Sequence, residues 1–173
     1  MYKKILLATD GSTHINRATS IIIGFYQKWN SEITIFHSVK HMLEKVSPPS
    51  HGLTVPYAGD AYFNVTTSTG SAQIKLDEKT SIKRLSESEI EKIGVDILDE
   101  KKAIFEEVQV PVKTKLVIKE YPEDYIERIV KKKKYDLVVV GVKGIHSKLS
   151  QVLLGSVAER ALKRTSCDVL IIH

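Results

Sequence analysis

The feature that most restricts the fold of this 173-residue chain is an uninterrupted apolar run at residues 137–140, which read LVVV. Four consecutive apolar residues, three of them β-branched, indicate a strand that is buried on both faces, as in the centre of a parallel sheet. Gly141 ends the run, Gly144 follows it, and Gly155-Ser156 comes directly before a second amphipathic segment. The sequence therefore predicts a strand, a glycine-rich connection and the start of a helix.

A connection of this kind favours the binding of an anion. Glycines let a backbone approach a ligand closely, and the N-terminus of a helix offers unpaired N–H groups with a partial positive charge. Ser156 adds a hydroxyl, and Lys143 and Lys148 add positive charge on the connection. The alternative is that the glycines serve only the geometry of the turn. Neither the G-x-x-x-x-G-K-[ST] phosphate loop nor the G-x-G-x-x-G dinucleotide fingerprint occurs.

The remaining apolar patterns alternate between strand and helix. Strands are predicted at residues 4–8, 32–37, 113–119, 137–140 and 167–172, and helices at 13–29, 86–107, from 122, and up to about 164. This alternation predicts an α/β protein with a parallel sheet and helices on both of its faces. Asp10 follows the first strand and would share an edge of the sheet with Gly141 if the first strand lies beside the strand at residues 137–140.

The chain has the length of one domain, so residues 1–173 are expected to form a single unit with a long irregular insertion at about 43–82. Residues 47–73 are rich in proline, glycine, serine and threonine, which favours either a lid or partner-binding arm or a loosely packed insertion. The chain begins directly with a strand and has no apolar run that could span a membrane, so a cytoplasmic protein is expected. Cys167 is expected to be a buried structural thiol.

The net charge of +5 raises the question of nucleic-acid binding. The densest basic run, Lys131 to Lys134, falls in the last turn of a predicted helix, where cations are favoured by the helix dipole. No aromatic residues accompany the run to stack on bases. It is interpreted as a solvated helix end, and no nucleic-acid partner is expected.

The motifs at both ends of the chain resemble those of the universal stress proteins. Gly141, Gly144, Gly155 and Ser156 stand in the places of the family's ATP-binding pattern G-x2-G-x9-G-[ST], although ten residues separate the second and third glycines here. The opening MYKKILLATDGS is similar to the family's first strand with its aspartate, and residues 165–172 are similar to its last strand. The resemblance covers both ends and the second half of the chain, but little of the middle.

The resemblance implies a Rossmann-like open sheet of five parallel strands in the order 3-2-1-4-5, and an adenine nucleotide at its carboxyl edge. ATP, accompanied by Mg²⁺ or Mn²⁺, would be the ligand, with the protein itself contributing no dedicated metal site. The adenosine end would contact Ala8, Thr9 and Asp10 and the backbone of Ser38 and Val39. The ribose and phosphates would contact Gly141, Lys143, Gly144, Gly155, Ser156 and Val157. The resemblance also implies a homodimer formed through the C-terminal strand, whose apolar edge would otherwise promote aggregation.

Regulatory ATP binding with no catalytic residues and little or no hydrolysis is therefore predicted, and two alternatives stay open. One is a slow ATPase that uses Asp10 or His146 to orient water. The other is a dimeric interaction module that has kept the fold without the nucleotide. His37, at the end of the second strand, is interpreted as filling space rather than as a catalyst.

Overall fold

The computed structural model describes residues 1–12, 15–46, 64–67, 70–73, 85–142 and 154–173. The elements in chain order are β1 (Lys4–Ala8), α1 (Ile15–Trp29), β2 (Glu32–Ser38), α2 (Lys40–Val46), β3 (Asn64–Thr67), β4 (Gly70–Gln73), α3 (Glu87–Glu107), β5 (Val112–Val117), α4 (Pro122–Lys133), β6 (Leu137–Gly141), α5 (Ser156–Arg164) and β7 (Asp168–Ile172).

The main sheet has the strand order β5-β2-β1-β6-β7, and every neighbouring pair in it is parallel. Counted without the β3–β4 hairpin, this is the predicted order 3-2-1-4-5, so the predicted α/β architecture is confirmed. β1 is the central strand, with Leu7 paired to Ile35 of β2 on one side and to Val139 of β6 on the other.

The helices cover both faces of the sheet and produce two apolar clusters. Alternate residues of a strand point to opposite faces, and on β1 this places Ile5 and Leu7 in one cluster and Leu6 in the other. The first cluster includes buried residues of α1 and α3, and the second includes buried residues of α4 and α5. The helices that follow β1 and β6 therefore leave the sheet on opposite faces.

Local signals account for several boundaries. Helix α3 begins at a capping box, in which the Ser86 hydroxyl accepts from the Glu89 amide and the Glu89 carboxylate accepts from the Ser86 amide.

At the amino edge of the sheet, the Asp136 carboxylate accepts hydrogen bonds from the amides of Lys3 and Lys4 at 2.8 and 2.7 Å. The Asp136 amide in turn donates to the Lys4 carbonyl at 2.9 Å. This residue ties the start of β6 to the start of β1.

The structure differs from the sequence predictions at three places. β5 ends at Val117, two residues before the predicted end, and β7 begins at Asp168, so Cys167 precedes the strand and is only half-buried. Within the segment predicted to be irregular, α2 continues to Val46, and β3 and β4 pair antiparallel from Asn64 to Gln73. The strands of this hairpin are four residues long, too short to give a recognisable alternation. The rest of the segment lies outside the described residues.

Among the residues that the structure describes, no helix is both long enough and apolar enough to cross a membrane.

Gly94 lies where α3 crosses the ends of β2 and β5. A Cβ atom on Gly94 would lie 2.5 Å from Cδ1 of Leu116 and 2.7 Å from Cγ1 of Val39, which is far inside van der Waals contact. Gly24 in α1 is exposed and has nothing within 4 Å of the same position. The first glycine therefore permits close packing, whereas the second only weakens its helix.

We predict that Gly94→Ala and Gly24→Ala change stability in opposite directions. Gly24→Ala should raise the free energy of unfolding by about 1 kcal/mol, because alanine is the better helix former. Gly94→Ala should lower it by about 1–3 kcal/mol, because overpacking of the buried contact outweighs the same helical gain. Urea denaturation of both variants measures the difference, and a stabilised Gly94→Ala protein would contradict the described packing.

Candidate functional site

The carboxyl ends of β1, β2 and β6 bring most of the predicted site residues to one edge of the sheet. β1 ends at Ala8 and is followed by Thr9 and Asp10, β6 ends at Gly141, and β2 ends at Ser38. Because α1 and α5 depart to opposite faces, the edge opens between β1 and β6 into a crevice. In parallel α/β sheets a crevice of this kind, where the strand order reverses direction, is where ligands bind.

The loop that follows β1 is held by its own hydrogen bonds. The Thr9 amide donates to the Phe36 carbonyl at 3.0 Å, the Gly11 amide donates to the Thr9 hydroxyl at 3.2 Å, and the Ser12 amide donates to Oδ1 of Asp10 at 2.9 Å. Gly11 has a φ of +84°, a conformation that disfavours residues with a Cβ atom. Asp10 is thereby fixed at the mouth of the crevice, half-buried.

The N-terminus of α5 forms the other side of the crevice. Gly155 is its N-cap, and the Gly155 amide donates to the Val142 carbonyl at 2.8 Å, while the Val142 amide donates to the Ile172 carbonyl at 2.7 Å. Glycine provides no side chain to accept from the first N–H groups of the helix. Its φ of −71° and ψ of 159° are open to any residue, so backbone conformation does not demand glycine here.

Ion pairs join α5 to α4 close to this edge. Arg160 contacts Glu123 at 3.3 Å and Asp124 at 2.5 Å, and one turn later Arg164 contacts Glu127 at 3.4 Å. Glu123 and Asp124 occupy the first turn of α4, where the helix dipole favours carboxylates. These contacts hold the start of α5 relative to α4. The sequence analysis did not identify them, because nothing in the local pattern of Arg160 indicates a partner 36 or 37 residues away.

At the end of β2, two neighbouring residues differ in their backbone hydrogen bonds. The Val39 amide donates to the Val117 carbonyl at 3.0 Å, the Val39 carbonyl accepts from Met42 and Leu43, and the residue is fully buried. Backbone groups of successive strand residues point to opposite sides, so those of Ser38 point the other way, toward the side of β1. The Ser38 hydroxyl donates to the Glu120 carbonyl at 2.7 Å.

His37 is buried next to this segment. One of its ring nitrogens, Nδ1, lies 2.8 Å from the Thr9 carbonyl, and since a carbonyl only accepts, Nδ1 carries a proton. Burial lowers the pKa of His37 below its ordinary value, against the opposing effects of the Thr9 carbonyl and the Asp10 carboxylate. The interpretation of His37 from the sequence, as a residue that fills space, did not include this hydrogen bond.

The predicted site residues thus fall into three groups. Ala8, Thr9, Asp10, Ser38, Gly141, Gly155, Ser156 and Val157 lie at the carboxyl edge of the sheet. Val39 lies there too, but with its backbone polar groups engaged inside the protein. Lys143 and Gly144, together with His146 and Lys148, lie outside the described residues.

Comparison with known proteins identifies the family. The profile of the universal stress protein family matches residues 1–173. The universal stress protein MJ0531 of Methanocaldococcus jannaschii is 30% identical over 172 residues, which cover 99% of this chain and 82% of that protein. The chain therefore belongs to the universal stress protein family.

Solved structures share the fold. The hypothetical protein MJ0577 superposes with a TM-score of 0.65 at 20% identity, over 99% of this chain and 96% of that one. A universal stress protein in complex with cAMP superposes with a TM-score of 0.59 at 20% identity, over 99% and 97% of the two chains. Other family members with the same fold were solved with dAMP, from Archaeoglobus fulgidus, and with AMP, from Arabidopsis thaliana.

We predict that His37 makes the protein less stable in mild acid. Because its pKa is lowered in the folded state, the unfolded chain binds the proton first as the pH falls below about 6.5, and stability is lost from there downward at up to about 1.4 kcal/mol per pH unit. Urea denaturation at about pH 7.5 and pH 5.5 should show a smaller loss for His37→Asn than for the wild type.

The acidic side chains do not obscure this window. Hydrogen bonds with cationic partners lower the pKa of Glu32, Glu120 and Glu159, so these groups affect stability only below about pH 4.5. An equal loss in both proteins between pH 7.5 and 5.5 would show that His37 does not titrate as described.

Proposed function

We propose that this protein is a dimeric, cytoplasmic universal stress protein that binds ATP as a regulatory ligand and hydrolyses it slowly or not at all. The observation that carries the proposal is that the N-cap of α5 is a glycine, which makes no side-chain hydrogen bond to the helix, at the crevice where Asp10 also lies. Four N–H groups at the start of a helix lack partners within it, and phosphate oxygens are well suited to accept from them. Adenine nucleotides bound to family members of the same fold support this ligand class.

The proposed site has an adenosine end and a phosphate end. Ala8, Thr9, Asp10 and the backbone of Ser38 would contact the adenosine, while Val39 supports this segment from below through its bond to Val117. Ser38 directly follows His37, and its backbone N–H and C=O groups point toward the side of β1. The residues proposed for the ribose and phosphates are Gly141, Lys143, Gly144, Gly155, Ser156 and Val157.

A divalent cation would be held mainly by the phosphates. Within the described ranges, no group of three histidine, cysteine, aspartate or glutamate residues could form a metal site. Mg²⁺ commonly binds through substrate phosphates and keeps several of its waters, which suits a site to which the protein contributes no dedicated metal ligand. The cation would neutralise phosphate charge beside α5.

The surroundings of Asp10 and His37 support slow hydrolysis, whereas His146, the other residue considered for orienting water, lies outside the described residues. One carboxylate oxygen of Asp10 already accepts the Ser12 amide, and Nδ1 of His37 is bonded to Thr9. A general base must lie within hydrogen-bonding reach of the water that it activates. A turnover typical of ATPases, abolished by Asp10→Asn, would replace the regulatory proposal with an enzymatic one.

We predict that a side chain introduced at position 155 weakens ATP binding, and that a negatively charged side chain weakens it more than a neutral one. Asparagine and aspartate both cap helices well and have the same size, so Gly155→Asn and Gly155→Asp should melt at or slightly above the wild-type temperature. Either side chain would occupy the anion position, and aspartate would also repel the phosphates. Isothermal titration calorimetry with ATP and Mg²⁺ should give affinities in the order wild type, then Gly155→Asn, then Gly155→Asp, with the last weaker than the second by about tenfold or more.

The comparison separates ligand binding from folding, because the two variants differ only in charge. Equal ATP affinity for Gly155→Asn and Gly155→Asp would place the phosphates elsewhere. Absence of ATP binding by the wild type would favour an interaction module without nucleotide.

The two edges of the sheet differ in a way that supports a dimer through β7. The edge strand β5 has the exposed charged residues Lys113 and Lys115, which disfavour pairing with another strand. The other edge strand, β7, has Val169, Leu170 and Ile171 only half-buried. The Asp168 amide and the Ile172 carbonyl bond toward β6, so by alternation the backbone groups of Val169 and Ile171 point outward.

We predict that Val169→Pro dissociates the dimer. Proline removes an N–H that points outward and leaves the bonds to β6 in place. Val169→Ala is the control, because it shortens the same side chain but keeps the N–H group. Light scattering should show a dimer for the wild type and for Val169→Ala, and a monomer for Val169→Pro. A wild-type monomer, or a Val169→Pro dimer, would contradict pairing through this edge.

A further inference from the structure

His37 is an unusual occupant of its position. Only 6% of its surface is exposed, and the nearby side chains of Val39 and Leu116, which close around Gly94, are apolar. Within the described part of the chain, Nε2 of His37 is buried and has no hydrogen-bond partner. A buried polar atom without a partner is costly, so an apolar residue would suit the packing better. Among the described residues, the hydrogen-bond partner of the ring is the Thr9 carbonyl, at Nδ1.

This contact falls where the pairing of β1 with β2 stops. The last backbone bond between them runs from the Thr9 amide to the Phe36 carbonyl. In a parallel ladder the next bond would run from the Ser38 amide to the Thr9 carbonyl. In this protein that carbonyl accepts from the His37 side chain, and no backbone bond joins it to Ser38. The ladder ends one bond early.

We infer that His37 is a positioning residue for the proposed nucleotide site, an inference that rests on the function proposed above. By bonding to the Thr9 carbonyl, its Nδ1–H group holds Thr9 and Asp10 at the crevice and leaves the Ser38 amide and carbonyl to a ligand. One donor beside one acceptor matches the edge of an adenine ring, which offers an amino group beside a ring nitrogen. The contact of the base with the backbone belongs to the function proposed above, and the inference adds the residue that keeps these backbone atoms available for it.

Substitutions can separate the hydrogen bond from the packing of the ring. The side-chain nitrogen of asparagine is as many bonds from the backbone as Nδ1 of histidine, so His37→Asn keeps a donor for Thr9. His37→Leu fills similar space without a donor. Ile35→Val is the matched control, since Ile35 is the preceding residue on the same face of β2, is fully buried and does not contact Thr9 through a side-chain hydrogen bond.

The experiment is calorimetric titration of the full chain with ATP and Mg²⁺ at about pH 7.5, where the ring is neutral. His37→Asn and Ile35→Val should bind within about twofold of the wild type. His37→Leu should bind more weakly by about fivefold or more, the scale of one lost hydrogen bond. Wild-type binding to ATP should also exceed binding to GTP, and Ser38→Ala should keep that preference because the backbone is unchanged.

Each contrary outcome has a distinct meaning. Wild-type affinity in His37→Leu, or equal loss in His37→Asn and His37→Leu, would overturn the positioning role while the proposed function stands. Absence of ATP binding by the wild type would overturn both. If His37→Leu does not fold, ¹⁵N NMR of wild-type His37 decides: a proton on Nδ1 is expected, and a proton on Nε2 alone would overturn the inference.

Discussion

The structure depends on the central position of β1. Its residues Ile5, Leu6 and Leu7 are completely buried, because helices cover both faces and strands pair with both edges. Burial of this kind excludes polar residues from the middle of the strand and concentrates polar chemistry at its carboxyl end, where Thr9 and Asp10 leave the sheet. The strands on either side of β1 contribute Ser38 and Gly141 to the same edge. The position of the candidate site is thus a consequence of where β1 lies.

The elements next to β1 were predictable because their signals are local. The run at residues 137–140, the capping box at Ser86 and the proline that opens α4 each report on a few neighbouring residues. The strand order was inferred from resemblance, since periodicity does not specify which strands pair. The β3–β4 hairpin was not predicted, because its short strands give no measurable alternation. The end of β5 was misplaced because Ile118 extends the apolar run that begins at Leu116, although pairing with β2 stops at Val117.

The sequence was sufficient to predict which loop residues form the candidate site, but not the hydrogen bonds and ion pairs that hold them. Glycines and the aspartate after β1 are visible in the sequence, whereas the bond from His37 to Thr9 and the ion pairs of Arg160 join residues far apart in the chain. The division between Ser38 and Val39 was also invisible, because it depends on which side of β2 carries β5. Such features follow from strand pairing and helix packing, so they become apparent only once the fold is known.

The placement of Asp136 has a consequence for synthesis on the ribosome. β1 is made before β2 and can pair with it early, but its other edge waits for β6 and for Asp136, which lies 133 residues after Lys3. At about 5–20 residues per second, the roughly 130 intervening residues take on the order of ten seconds to emerge. During this time an apolar strand has an unpaired edge. Nascent chains of this protein should therefore engage chaperones until β6 has left the ribosome.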